Sequence, residues 1–152
     1  MKPHPINKKT HFIAGWYINK NVCTDLIKYF ENSPNKKGGV LSLEKGKGGI
    51  NKKHKLSTDV SIDMGNHDKE ILNYYQELTK VTEEYKKKYR YCDVQQNKWA
   101  RTEGWNLQKY NPKEGYFVRH FERTGGSHVN RHLAFMTYLN DVRDGGETEF
   151  YY

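Results

Sequence analysis

The sequence predicts an α+β fold, with helices in the N-terminal part and strands gathered towards the C-terminal part. Two observations carry this. Before residue 90, two stretches repeat apolar side chains at three- and four-residue steps, the spacing that lines one face of a helix. Elsewhere, and above all after residue 100, short segments alternate apolar and polar side chains between Gly, Pro and Asn turn signals, as half-covered strands do.

Taken in order, Phe12 to Ile18 (FIAGWYI) reads as an opening strand ended by Asn19. Val22, Cys23, Leu26, Ile27 and Phe30 then recur at helical spacing, so Asn21 to Glu31 is predicted to be an amphipathic helix packed on the sheet. Pro34 to Lys55 holds seven lysines, one glutamate and five glycines with no sustained period. It reads as a mobile basic loop, either simply solvated or acting as a lid. In Leu56 to Met64, Val60 and Ile62 alternate with Asp59, Ser61 and Asp63, which predicts a strand whose aspartates form the wet face. Asp68 to Tyr89 aligns Ile71, Tyr75, Leu78, Val81, Thr82, Tyr85 and Tyr89 on one face and should be the longest helix, with Asn66 as its N-cap. Lys86, Lys87 and Lys88 at its end complement the helix dipole, so this basic run needs no nucleic acid to explain it. Tyr91 to Val94 ends the helical region. Arg101 to Tyr110, with Trp105 and Leu107 on one face, leads as a strand into the turn YNPKEG.

A length of 152 residues suits one domain with a single core, 1–100 supplying helices and supporting strands and 101–152 the strand-rich part. Only 35% of residues are hydrophobic, but twelve are tyrosine, so aromatic rings should supply much of the burial. No apolar run approaches membrane-spanning length, and the start MKPHPINKK lacks a signal-peptide core, which leads us to expect a cytoplasmic protein without membrane partners. Cys23 and Cys92 stand in no metal-binding spacing and are expected to be free thiols. The net charge of +8 is uneven: Met1 to Tyr89 has seventeen basic and ten acidic residues, Arg90 to Tyr152 nine and eight. Such an excess permits attraction to acidic protein or to nucleic acid, the latter ranking last among the functions weighed.

The chemistry lies in YNPKEGYFVRHFE (Tyr110 to Glu122) and NRHLAFMTYLNDVRDGGETEF (Asn130 to Phe150). In a strand His120 and Glu122 project from one face. One strand can therefore offer an imidazole and a carboxylate to a single ion, two parts of the two-histidine, one-carboxylate set that suits non-haem Fe(II). Alone, such a pair is better read as a wet strand face without a metal. Around it, Tyr110 precedes His120 by ten residues, Tyr116 and Arg119 fall between, and the predicted strand Leu133 to Asn140 places Ala134, Met136 and Tyr138 on one face. Gly145, Gly146, Glu147 and Thr148 with Phe150 follow.

In that order these residues resemble the first half of the catalytic barrel of Fe(II)- and 2-oxoglutarate-dependent oxygenases, in the prolyl 4-hydroxylase-like, phage-type branch. The likeness extends weakly through FIAGWYI and STDVSID to the whole chain. It implies a double-stranded β-helix (jelly-roll, cupin-like) barrel, incomplete at its C-terminus, with packing helices from the N-terminal half. It implies Fe(II) on His120 and Glu122, and 2-oxoglutarate as cosubstrate with Tyr138 on its far carboxylate and Tyr110 near its metal-bound end. Ascorbate is a reductant in the family. The implied reaction uses O2 to hydroxylate a C–H bond, by default on a prolyl residue of a peptide or protein although small molecules also serve relatives, releasing succinate and CO2. For Tyr138 and Tyr110, aromatic residues closing a core are an equally open reading.

Two departures matter. Glu122 stands where the family normally has aspartate. The family's distal histidine, and the arginine or lysine after it, have no counterpart before Tyr152. We therefore expect a longer natural product and no turnover from these residues alone, with His4, His11, His54, His67, His128 and His132 not replacing the missing ligand. The alternative is a barrel-type binding module without catalysis.

Overall fold

The fold is set by a few polar anchors and a sparse apolar core. The computed structural model describes residues 1–6, 11–42, 48–93, 99–123 and 125–151 and is α+β, with two helices, small antiparallel sheets and no closed barrel among the described residues. The chain divides into two compact units, Met1–Ser33 with Ile62–Trp105, and Pro34–Ser61 with Asn106–Tyr152.

In the first unit, helix α1 (Lys20–Asn32) begins where the Asn19 side chain accepts the Asn21 N–H at 2.9 Å, satisfying a donor that has no partner within the helix. Cys23, Leu26 and Phe30 form its buried stripe and pack on α2 (Lys69–Lys88). The buried face of α2 comprises Ile71, Tyr74, Glu77 and Tyr85. A carboxylate on that face is explained by its partners: Glu77 accepts the Asn19 N–H at 3.2 Å and pairs with Lys80 at 2.6 Å. The Lys80 ammonium, and then the Asn19 N–H, hold its carboxyl below the usual range despite burial.

Asn66 does not cap α2. Asp68 holds that position, and Asn66 shapes the preceding turn by accepting the Asp68 N–H at 2.9 Å. Phe12 to Ile18 forms no strand, only a bridge between Pro3 and Trp16. Phe12 sits at a φ of 59°, and tyrosine hydroxyls of the α2 region hold the segment: Tyr85 donates to the Phe12 carbonyl at 2.7 Å and Tyr89 to that of Ile13 at 3.2 Å. Backbone carbonyls that a ladder would have used are satisfied by side chains instead. Residues 91–93 form turns that end the helical region, and Val94 lies outside the described residues.

In the second unit, β1 (Lys37–Gly38), β5 (Thr58–Ile62) and β6 (Trp105–Lys109) form a sheet in the order β1-β5-β6; Ile62 and Trp105, at strand ends, belong to the first unit. Strands β2 (Leu41–Ser42) and β3 (Gly48–Gly49) pair with each other, as do β4 (Lys55–Leu56) and β7 (Gly115–Tyr116), both antiparallel. The segment Pro34 to Lys55, expected to be a loop, thus carries short strands, although 43–47 lie outside the described residues. Val60 and Leu107 supply the buried apolar side chains of this unit among the described residues.

Asp59 corrects the sequence reading most clearly. It is not on a wet face but 3% exposed, paired with the equally buried Lys55 at 2.7 Å and accepting the Ser57 hydroxyl at 2.7 Å. A buried ion pair persists only when both charges and the remaining lone pairs are met, and Gly39 makes room for it. A Cβ there would overlap the Ser57 hydroxyl and lie 2.9 Å from Lys55 Cε.

From Phe117 onward the only regular element described is a 3₁₀ turn, Gly126–His128. The strands expected at His120–Glu122 and at Leu133–Asn140 do not form. A strand needs a neighbour to take its N–H and C=O groups, and no described segment pairs with either stretch.

Candidate functional site

The site grows from the exit of β7. Strand pairing aligns Tyr116 with Lys55, and the chain then leaves the sheet towards His120 and Glu122. The Tyr116 ring stacks on the His120 imidazole, with centroids 4.2 Å apart and planes inclined by 17°. His120 Nδ1 lies 3.2 Å from the Val118 carbonyl oxygen. A carbonyl only accepts, so in the neutral ring Nδ1 carries the hydrogen and Nε2 presents its lone pair.

That lone pair faces Glu122. Two ligands at right angles on one ion, each about 2.1 Å from it, lie about 3 Å apart; His120 Nε2 lies 3.4 Å from Glu122 Oε1. Two lone-pair donors at this distance repel unless a proton or a metal cation lies between them. The other carboxylate oxygen is already held: Arg131 donates to Oε2 at 3.0 Å and to the Glu122 backbone carbonyl at 3.2 Å. Oε1 is thereby turned towards the imidazole. The two residues meet without a strand, so a local hydrogen bond and a guanidinium do what the pleat was expected to do.

Tyr110 lies in the same unit, 40% exposed, and its hydroxyl donates to Gln108 Oε1 at 2.9 Å. Desolvation first, and then the Asp59 carboxylate, push its hydroxyl up to about 12, with smaller contributions from Tyr116 and Tyr138. It therefore stays a neutral phenol, able to donate, throughout the physiological range. Tyr116 is likewise raised by desolvation and then by Glu122. Tyr116 and Tyr138 thus lie near enough to Tyr110, and Glu122 to Tyr116, to contribute to these shifts. Tyr138 lies 2.6 Å from the Thr148 hydroxyl, which ties the GGET segment to it across a turn in which Gly145 and Gly146 take φ of 75° and 79°.

Of the four residues expected from the sequence, His120 and Glu122 meet at 3.4 Å, whereas the hydroxyls of Tyr110 and Tyr138 bond locally to Gln108 and Thr148. Among the described residues no group of three His, Cys, Asp or Glu side chains could hold an ion. The donors present, an imidazole nitrogen and a carboxylate, are of the kind that suits Fe(II), and number two. No family model, curated protein or solved structure matches the chain.

Sequence reasoning missed Arg131 as the residue that orients Glu122. It also missed the network of Lys55, Asp59 and Ser57 behind Tyr110. A signal for the latter existed: Lys55, Ser57 and Asp59 recur at every second position, the spacing that puts complementary charges on one strand face. For Arg131 no local signal exists, because its partner lies nine residues back across an irregular connection.

Proposed function

We propose that this chain carries the iron- and cosubstrate-binding face of an Fe(II)- and 2-oxoglutarate-dependent dioxygenase of the prolyl 4-hydroxylase-like kind, on an arrangement related to the double-stranded β-helix. The observation that supports this is His120 Nε2 set 3.4 Å from Glu122 Oε1, with Nδ1 3.2 Å from the Val118 carbonyl and Oε2 held by Arg131. In this reading His120 and Glu122 are the metal ligands. Tyr138 and Tyr110 are neutral phenols that orient 2-oxoglutarate by donating hydrogen bonds to its carboxylate ends. Bound iron supplies the oxidation of a C–H bond by O2, coupled to conversion of 2-oxoglutarate into succinate and CO2. The stacked Tyr116 ring limits rotation of the imidazole and shields one of its faces from water. The substrate is a peptide or protein, with ascorbate as reductant, and the protein works in the cytoplasm.

Anaerobic calorimetric titration of the full chain with Fe(II), with and without 2-oxoglutarate, tests the reading. Binding should be strengthened by the keto acid and fall below detection in His120→Ala and Glu122→Ala. Wild-type protein that takes up no Fe(II) under either condition would sink it. A second reading, a binding module without catalysis, is favoured by one observation: the described residues present two donors rather than three. It predicts the outcome just named, together with no 2-oxoglutarate-dependent succinate release.

A further inference from the structure

Beside this site lies a turn that carries two lysines, Lys52 and Lys53. Pro34 to Ser61 carries seven lysines against Glu44 and Asp59, and Asp59 is spent on buried Lys55. Strands β4 and β7 are antiparallel, so the chain entering β4 lies next to the chain leaving β7. The pairing continues past the ladder, where the Phe117 N–H donates to the His54 carbonyl at 2.7 Å. Lys52 and Lys53 are therefore held at the end of the sheet from which Val118, His120 and Glu122 emerge.

Their turn is fixed by Asn51, whose side chain accepts the Lys53 N–H at 3.1 Å and whose carbonyl accepts the N–H groups of His54 and Lys55 at 3.0 and 2.9 Å. Both lysines are exposed, and neither forms a salt bridge among the described residues. We propose that the turn Lys52–Lys53 is a docking point for an acidic peptide, which it presents to the His120–Glu122 site. The chemistry after docking rests on the oxygenase reading; the docking does not.

A peptide fits better than nucleic acid because strands β4 and β7 form a sheet of two strands, whose edges can add an extended backbone.

Fluorescence anisotropy with the full chain tests the proposal, using a fluorescein-labelled peptide with glutamates flanking a proline, its glutamine analogue, and a labelled oligothymidine. The acidic peptide should bind about tenfold tighter than the analogue, the size expected of two partly screened ion contacts, and the advantage should shrink as salt shortens the screening length. The double variant Lys52→Gln, Lys53→Gln, which alters exposed side chains only, should lose that advantage while keeping its circular dichroism. Equal binding of both peptides, an unaffected double variant, or tighter binding of oligothymidine would each overturn the proposal. His120→Ala separates the two readings: it should bind the acidic peptide normally while losing Fe(II). Fe(II) uptake without peptide discrimination would leave the oxygenase reading standing and remove this one.

Discussion

His120 has two nitrogens, and in the proposed site the one that makes no metal contact decides what the other can do. With Nδ1–H committed to Val118, Nε2 is available to a cation. Arg131 does the corresponding work on Glu122, and we expect Arg131→Ala to weaken Fe(II) binding about 10- to 100-fold without unfolding the protein, the usual cost of losing a partner of a metal ligand. Titration calorimetry checks this, and an unchanged affinity would show that Glu122 is oriented otherwise. Tyr110 sets an alkaline limit. Its hydroxyl, raised to about 12 by desolvation and Asp59, holds its proton more tightly in the folded chain than in the unfolded one, where phenols titrate near 10. The stability this contributes is whole below pH about 10 and is lost as pH rises through about 12. Urea midpoints measured on either side of pH about 10 should therefore fall less in Tyr110→Phe than in wild type.

Among elements, α1 and α2 form the best-determined pair, because a capped start, a buried stripe and a carboxylate bridge agree. Leu26 is fully buried, so Leu26→Ala should cost about 2–5 kcal/mol, the range for opening a cavity under a core leucine. Denaturant unfolding followed by circular dichroism would read it; a loss within error would mean that the helices are not packed through this face. The strands differ in kind. β4, β5 and β7 are short and are positioned as much by the buried Lys55–Asp59 pair as by apolar burial. Alternation along Leu56 to Met64 correctly predicted extended backbone there, with Val60 and Ile62 buried. It misassigned Asp59, because period-two patterning sorts residues by polarity and cannot register that a lysine four positions earlier comes to the same buried place.

For the molecule as a whole, stability should be uneven. Phe117, Phe121, Phe135, Met136, Tyr138, Val142 and Phe150 are all exposed, and residues 117–151 contain no described strand. Few buried contacts and unpaired backbone groups predict local opening at low cost. Amide hydrogen exchange should be fast across 117–151 and slow in α2 and β5; protection across 133–140 equal to that of α2 would contradict this. No described helix is long and apolar enough to cross a membrane. The sequence by itself determined the α+β class, the two helices and the buried stripe of α1, because helical period and side-chain type are local properties; on α2 the buried face turned out to be Ile71, Tyr74, Glu77 and Tyr85 rather than the Tyr75, Leu78 and Val81 face. Only the tertiary structure decided that Asp59 is buried, that Asn66 shapes a turn rather than caps a helix, that Phe12 to Ile18 is held by tyrosine hydroxyls, and that Arg131 aims Glu122 at His120. Each of those depends on which group satisfies a charge or a backbone hydrogen bond. For Phe12 to Ile18 and for Arg131 that partner is distant and spacing carries no record of it, whereas for Asp59 and Asn66 it is close in sequence but polarity patterning does not single it out.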